Sequence, residues 1–452
     1  MKDDTATSCQ LNILLLCNKP ESGQDAGTIV DHIGAFEQYS QHRIWLCSRL
    51  GGLPESLDLE RFDVIIIHYS LSLLNNYYLS KQSKQRLRNC SALKVIFIQD
   101  EYRRIHQMIR ELEYLKINVL YTCFPKQEIE RIYPTALLPH VTKYPNLTGY
   151  VPERLLQIKT LPMTKDRLIH VGYRSRKLSY WFGELAYEKW NIVEQWFAHA
   201  KAPDLRLDVS YHEKDRIYGK DWIAFLSSCK TTLGVESGAS VMDFTGALEE
   251  AVELYQLMHP QASFHEVQKK FLLEHEGRYC LNQISPRCFE AITLKTVLVL
   301  YEGAYSNILV PDRHYIMLKK DFSNIEYVLE KIRDDHFLQE MANRAYDEIA
   351  LNPRYSYQYF IAGVDSAILQ AVGARQQSLV TNPYQPTSFA KVLHVMSWKN
   401  KIRIYGFIYY QKLPPKLRLL IKSGLRSMTG LYAVLWRVLG KCRMGLFNRE
   451  SL

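Results

Sequence analysis

The chain has 452 residues and a formal net charge of +10, and 47% of its residues are aliphatic, aromatic or cysteine. This length is too great for a single core and predicts two or three domains, and the apolar content excludes general disorder. The nine cysteines form no C-x-x-C pair, so free thiols in a reducing compartment are expected. No apolar run reaches the roughly 18 residues that a membrane-spanning helix needs, and the acidic N-terminus does not resemble a signal peptide.

The first third of the chain alternates between apolar runs and helical patterns. An apolar run at 12–18 feeds a loop at 19–28, which lacks the G-x-G-x-x-G dinucleotide fingerprint. This alternation predicts a parallel sheet covered on both faces. Strands are expected at 12–18, 43–47, 64–68, 95–99 and 119–123, with helices at 29–39 and 104–114.

Polar residues end two of these strands. His68 closes the run VIIIH, and Asp100 and Glu101 follow the run VIFIQ. Sites form at the carboxyl ends of parallel strands, so these residues are candidates for a site. The alternatives are that Asp100 caps the next helix while Glu101 complements its dipole, and that His68 is a core or rim histidine.

Residues 138–165 contain four prolines and no clear periodicity, which is typical of a hinge. A second alternating domain begins with a strand at 167–171. We therefore expect an N-terminal lobe at 1–150, a second lobe at 151–370 and a tail at 371–452.

The loop after the strand at 167–171 concentrates positive charge. Gly172 gives it flexibility, and Arg174, Arg176 and Lys177 carry three cations. An Arg fork and a Lys point charge suit a diphosphate, although an ordinary solvated basic loop is the alternative. Farther along, the loop after the strand at 296–300 contains Gly303, whose neighbourhood could bind a ligand through backbone N–H groups.

Residues 285–300 read SPRCFEAITLKTVLVL, a helix start followed by a buried strand. The segment from Arg287 to Ala291, with the strand after it, resembles the C-terminal domain of GT-B glycosyltransferases. The resemblance is greatest to the retaining type and its spore-maturation-like branch, although Lys295 and Thr296 replace the glycine usual before that strand. It implies an α/β fold with two Rossmann-like lobes, a cleft between them, and a helix at 357–369 that crosses back to the first lobe.

The resemblance also implies roles for individual residues. Glu290 would hold the ribose of a nucleotide-sugar, with Arg287 in the same segment. The piece from Gly183 to Lys189 is similar to the family's G-R-L-x-x-E-K, so Lys189 would meet the diphosphate.

The first of two family glutamates falls on Asn282 in this chain. We therefore infer an insertion at roughly 241–280 and assign that role to Glu236, with a solvent-facing loop carboxylate as the alternative. Asp100 and Glu101 would be catalytic groups on the acceptor side.

The function expected from the resemblance is transfer of a sugar from a nucleotide-sugar to a saccharide or lipid-linked acceptor, in surface polysaccharide or glycolipid synthesis. Retention of configuration is implied by the resemblance alone. No cofactor beyond the nucleotide-sugar substrate is expected, and no metal, since no Asp-x-Asp is placed to hold one. A sugar-nucleotide epimerase and an inactive nucleotide-sugar-binding or scaffold protein are the alternatives.

The tail carries the whole positive excess. Residues 391–452 contain thirteen Lys and Arg and one acid, a net charge of +12, whereas the rest of the chain is at −2. Amphipathic basic runs beginning at Pro414 and near Leu431 suit an anionic membrane surface, which predicts a cytoplasmic protein held peripherally on the inner face of the membrane. Helices packed on the body or on a partner are the alternative, and a nucleic-acid partner is not expected.

Overall fold

The computed structural model of the protein describes residues 10–20, 27–376, 378–394, 398–413, 417–418 and 421. Its first lobe is a six-stranded parallel sheet in the order β2-β1-β3-β4-β5-β6. The strands are β1 Asn12–Cys17, β2 Arg43–Ser48, β3 Val64–Ile67, β4 Leu93–Phe97, β5 Val119–Thr122 and β6 Thr142–Pro145. The helices of this lobe are α1 Gly27–Tyr39, α2 Lys81–Asn89, α3 Ile105–Tyr114 and α4 Lys126–Ile132. Apolar clusters on both faces bury every residue of β3 and β4, as expected for a sheet with helices on two sides.

The second lobe repeats this plan with a five-stranded parallel sheet in the order β13-β12-β9-β7-β8. Its elements are α5 Glu153–Leu156, β7 Ile169–Arg174, α6 Glu184–His199, β8 Leu207–Ser210, α7 Gly219–Ser228, β9 Cys229–Gly234, β10 Ser237–Ala239, α8 Ala247–Met258, α9 Phe264–Val267, β11 Leu281–Gln283, α10 Pro286–Thr293, β12 Val297–Tyr301, β13 Tyr315–Leu318, α11 Ile325–Arg333 and α12 Asp335–Ala345. Strands β10 and β11 form a separate antiparallel pair.

A long helix, α13 Tyr357–Ala374, returns from the second lobe to the first. Phe360, Ile361 and Ile368 pack in the same apolar cluster as β1 and α1. The buried carboxylate of Asp365 accepts hydrogen bonds from the Ser40 hydroxyl and the Gln41 N–H. The sequence-based prediction of a crossing helix is therefore correct, and the helix runs five residues beyond the predicted end.

Residues 237–283 form a strap that leaves the second lobe and packs on the first. Met242 and Leu281 are buried in the core of the first lobe, and Asp243 pairs with Arg103 as a parallel bridge. The Asp243 carboxylate accepts the N–H groups of Gly246 and Glu249 and so caps the start of α8. The strap contains the segment that the sequence analysis interprets as an insertion.

The chain after α13 also packs on the first lobe, through α14 Pro386–His394 and α15 Trp398–Lys412. Phe389 lies against the rings of Trp45 and Phe62. Neither helix was predicted from the sequence. The runs that were predicted from Pro414 and near Leu431 lie outside the described residues, apart from 417–418 and 421. Among the helices that the structure describes, none is both long and apolar enough to cross a membrane.

In both sheets the strand order reverses at an internal position, between β1 and β3 in the first and between β7 and β9 in the second. Ligands of open parallel sheets bind outside the carboxyl ends of the strands at such switch points. The fold-class prediction of two Rossmann-like α/β lobes is confirmed, and the topology places the two switch points on the gap between the lobes.

Candidate functional site

A cavity of about 1020 Å³ lies between the lobes, and we call it the cleft. Asn18, Ser70 and Asp100, which follow β1, β3 and β4, line it from the first lobe. Arg176 and Ser237, which follow β7 and β9, line it from the second. A pocket of about 360 Å³ shares part of this lining and extends into the second lobe towards Thr232 and Leu298. The carboxyl ends of both sheets thus open onto one space.

Glu290 lies on the wall of the cleft that belongs to the second lobe. It is on α10, whose start is fixed by the Ser285 side chain and by a proline in the first turn. Burial raises the pKa of Glu290. The indole N–H of Trp222 donates to Oε2 at 2.8 Å, and Arg154 lies 3.8 Å from Oε1. Because Arg154 already forms a bidentate pair with Asp31, the Glu290 carboxylate retains lone pairs for hydroxyl groups in the cleft.

Trp222 is the main residue that sequence reasoning missed. It lies in the first turn of α7, and its ring lies under the guanidinium of Arg287 with 5.1 Å between the guanidinium carbon and the ring centroid. Arg216 and Tyr218, in the loop before α7, also line the cleft. No local motif marks this loop, so only the contact of Trp222 with Glu290 identifies it.

Positive charge gathers between Glu290 and the first lobe. Arg176, Lys189, Arg216 and Arg287 line both the cleft and the smaller pocket. Arg176 forms no hydrogen bond or ion pair with any described residue, so its five donors are available to a ligand. Burial lowers the pKa of Lys189 to about 8, and among the described residues its ammonium group has only a long hydrogen bond of 3.4 Å, to the Gly238 carbonyl. A polyanion in the cleft would satisfy both groups.

Two predicted cations are engaged by their own lobe. The Arg174 guanidinium donates to the backbone carbonyls of Tyr173, Asp208 and Asp215 and to the Asp208 carboxylate. Lys177 lies over the ring of Trp190 at 4.2 Å and does not line the cleft. Of the predicted basic loop, only Arg176 presents unoccupied donors to the cleft.

Away from the cleft lining lie four other predicted site residues: Gly172, Gly303, Glu236 and Glu101. A side chain at Gly172 would meet Cys229 and Phe225, and one at Gly303 would meet Glu236. Both glycines therefore allow close packing inside the second lobe. Glu236 accepts the N–H groups of Ala304 and Tyr305 through Oε1 and the amide of Asn282 through Oε2, so one oxygen holds the loop after β12 and the other holds β11.

Glu101 is buried in a network behind the cleft. Its carboxylate accepts hydrogen bonds from the hydroxyls of Thr122 and Tyr133 and from the N–H of Cys123. Burial raises the pKa of Glu101 to about 7. The network joins the ends of β4 and β5, and it places this carboxylate out of contact with the cleft.

Asp100 is the predicted catalytic residue that does line the cleft. It has a left-handed backbone with φ +57°, and the Tyr102 hydroxyl donates to Oδ1 at 2.8 Å. It does not cap α3, whose N-cap is Arg104 without a side-chain bond. His68, the other polar strand end, is buried and bonded to His32 and Ser70, so it is a core histidine. The structure thus brings together Asp100, Arg176, Lys189, Arg287 and Glu290.

Among the described residues, no group of three or more His, Cys, Asp or Glu side chains is arranged to hold a metal ion. The seven cysteines in the same part of the chain are free thiols, six of them buried.

No protein-family profile matches the chain, and no curated protein matches its sequence. The structural neighbours are glycosyltransferases. An alpha-glucosyltransferase in complex with UDP and DNA is 12% identical with a TM-score of 0.49, over 80% of this chain and 100% of the other. An alpha1,3-fucosyltransferase is 10% identical with a TM-score of 0.42, over 82% and 93%. HepE of Anabaena in complex with UDP is 9% identical with a TM-score of 0.36, over 80% and 100%. Identities and TM-scores this low do not place the chain in a family.

Proposed function

We propose that this protein is a glycosyltransferase that moves a sugar from a nucleoside-diphosphate sugar to a hydroxyl group of a saccharide or lipid-linked acceptor. The observation that carries the proposal is the composition of the cleft. One wall combines a buried carboxylate, Glu290, with the cations Arg176, Lys189 and Arg287, and the opposite wall carries Asp100. The first wall suits a ribose next to a diphosphate, and the second suits an acceptor hydroxyl.

In the proposed reaction, each of these residues has a role. Glu290 accepts hydrogen bonds from the ribose hydroxyls, and the three cations neutralise the diphosphate. An acceptor oxygen bonds to the anomeric carbon while the bond from that carbon to the β-phosphate oxygen breaks, and Asp100 takes the acceptor proton. Because fixed cations stabilise the charge that develops on the leaving group, the proposed reaction needs no metal and no cofactor. Retention of configuration is part of the proposal on the family resemblance alone, and it requires the acceptor oxygen to attack from the face of the sugar that the leaving phosphate occupies.

The test is a donor panel of UDP- and GDP-sugars, with binding measured by calorimetry and turnover by release of the nucleotide. Saccharides, lipid-linked sugars and double-stranded DNA serve as acceptors, the last because one structural neighbour was solved with DNA. We expect binding of one donor and transfer to a saccharide or lipid-linked acceptor. Donor epimerisation without transfer would support an epimerase, and donor binding without any turnover would support a binding protein. No binding of any nucleotide would contradict the proposal.

We also propose that the protein is cytoplasmic and docks peripherally on an anionic membrane. There it would meet an acceptor of polysaccharide or glycolipid synthesis. The support is the net charge of +12 in residues 391–452 and the outer face of α15. Ile402, Tyr405 and Tyr409 are 49%, 61% and 58% exposed on that face, and Lys401 and Lys412 flank them. Aromatic and aliphatic side chains beside lysines suit the interface of an anionic bilayer.

A further inference from the structure

The face of α15 opposite Ile402, Tyr405 and Tyr409, which we call its inner face, lines the cleft. Phe407, Tyr410 and Gln411 line the cleft, at its end in the first lobe. Leu74, Asn75 and Tyr78 line the same end. This end is part of the cavity that contains Glu290 and Arg287, so anything bound there is continuous with the proposed donor site.

Specific contacts hold α15 in this position. Asn400 is buried, its carbonyl accepts the Gly52 N–H at 2.7 Å, and its amide donates to the Leu50 carbonyl at 2.8 Å. A buried amide with both ends bonded to backbone fixes the register of the helix. Gly51 also donates its N–H to the carbonyl of Tyr78, so one loop positions both α15 and the tyrosine opposite it.

Aromatic rings form the wall itself. Phe407 stacks on Tyr77 with 3.9 Å between ring centroids and 19° between planes. Tyr78 meets Phe407 edge-on at 6.4 Å, and Tyr410 lies 6.3 Å from it. The stacking locks the Phe407 ring, and the cleft is bounded by aromatic surface on this side.

Amides and hydroxyls are interleaved with these rings. Asn75 accepts the Tyr77 N–H through Oδ1, and its amide nitrogen has no hydrogen-bond partner among the described residues. Ser70, Ser72 and Gln411 also line this end. Apolar rings interrupted by hydrogen-bonding groups suit a sugar, whose C–H face packs on a ring while its hydroxyls bond at the edge. A lipid chain would need a continuous apolar wall, which the amides and serines break.

We infer that the inner face of α15 is one wall of an acceptor subsite for a glycan, with Phe407 and Tyr78 as the stacking surface. The inference rests on the proposed glycosyltransferase function and adds the chemical class of the acceptor. It also gives α15 two faces, an outer one for the membrane and an inner one for the sugar that is to be extended.

The experiment compares Phe407→Ala, the conservative Phe407→Tyr and, as a matched control, Phe197→Ala at an exposed position on α6 away from the cleft lining. The probes are a panel of soluble p-nitrophenyl glycosides and oligosaccharides, with UDP and UDP-sugars as donor-side ligands. Binding is measured by calorimetry and transfer by product formation, and circular dichroism monitors folding. For the best glycoside we expect Phe407→Ala to weaken binding and lower the acceptor kcat/KM about ten-fold. Phe407→Tyr should retain most of both, and Phe197→Ala should be unchanged.

The two proposals fail in different ways. If the wild-type protein binds neither UDP nor any UDP-sugar, the proposed glycosyltransferase function is refuted. Wild-type donor binding and turnover with no affinity for any glycoside would overturn the glycan subsite alone. Wild-type acceptor kinetics in a folded Phe407→Ala protein would also overturn it. An equal loss of donor and acceptor binding in that variant would count against it too, since it would show a structural effect rather than acceptor recognition.

Discussion

Replacement of Glu290 gives the sharpest test of the donor site. A carboxylate that accepts two ribose hydroxyls contributes roughly 1.5–3 kcal/mol per bond. We use the lower end, because the indole of Trp222 already donates to one oxygen at 2.8 Å. Glu290→Ala should then cost about 3 kcal/mol, close to a 100-fold loss in UDP affinity. Glu290→Gln keeps the shape and loses the charge, so its cost should be about 1.5 kcal/mol, or ten-fold.

The assay is calorimetric titration with UDP and with 2′,3′-dideoxy-UDP. If the carboxylate binds the ribose hydroxyls, 2′,3′-dideoxy-UDP should bind the wild-type protein weakly. Glu290→Ala should then lower the affinity for this ligand only slightly further. Glu326→Ala, at an exposed position on α11, is the matched control, and thermal unfolding monitors the fold. Unchanged UDP affinity in Glu290→Ala would refute the assignment. Equal losses for both ligands would show that the carboxylate acts on something other than the ribose.

Four further predictions concern charge, packing and the membrane. The pKa of Lys189 is about 8 in the free protein, and a bound diphosphate would raise it. The affinity for UDP, measured by calorimetry, should therefore be full below pH 8 and fall above it. Lys189→Met should bind UDP weakly, with an affinity that does not change over this pH range. Arg174→Ala should weaken uridine and UDP equally and lower the urea midpoint, since its donors serve backbone carbonyls; a selective loss of UDP would contradict this. Asp243→Ala should lower the free energy of unfolding by about 1–2 kcal/mol in urea, because it removes the cap of α8; an unchanged midpoint would show that the strap does not need this cap. The double variant Tyr405→Asp/Tyr409→Asp should co-sediment less with anionic liposomes than the wild-type protein. Added salt should weaken the wild-type binding, and neutral liposomes should bind neither protein. An unchanged bound fraction in the double variant would contradict the outer face of α15 as the membrane contact.

Most of the strands were predictable because their local signal is strong. Runs such as VIII in β3 and VLVLY in β12 are continuously apolar and contain β-branched residues, as expected for a strand buried on both faces. Helix α2 was missed because its sequence, KQSKQRLRN, has no apolar periodicity. Its stability comes from a Ser80 cap and from Lys84, which pairs with Glu111 at 3.0 Å. The pair of Lys84 with Glu111 is a tertiary contact that no local pattern reports.

The segment at 138–165 shows the same limit. Its prolines led to the prediction of a hinge, yet Thr142–Pro145 is β6, the edge strand of the first sheet. Pro145 is tolerated because it lies at the end of an edge strand. Sheet pairing depends on β5, which is separated from β6 by a helix and a loop, so the residues of the segment alone do not reveal it.

The site was predictable in part, and orientation decides which part. Arg174 and Arg176 look equivalent in sequence, but Arg174 still belongs to β7 and turns into its own lobe, whereas Arg176 lies beyond the strand and faces the cleft. Glu236 and Glu101 look like available carboxylates, and both are consumed by N–H and hydroxyl donors from other segments. Charge and motif spacing identify candidates, but only packing shows which of them have free lone pairs or donors.

The two walls of the cleft differ in how they are assembled, and this difference has a functional consequence. The proposed donor wall is built mainly from the loops and helix starts of one lobe, including the Arg287–Glu290 segment on α10. The proposed acceptor wall joins residues near 70–78, near 100 and at 407–411, and its α15 piece is fixed by a bond between Gly52 and Asn400. Changes in the chain after α13 can therefore alter the acceptor end of the cleft without disturbing Glu290 or Lys189. On the proposed function, such changes would alter which glycan is extended while the donor stays the same.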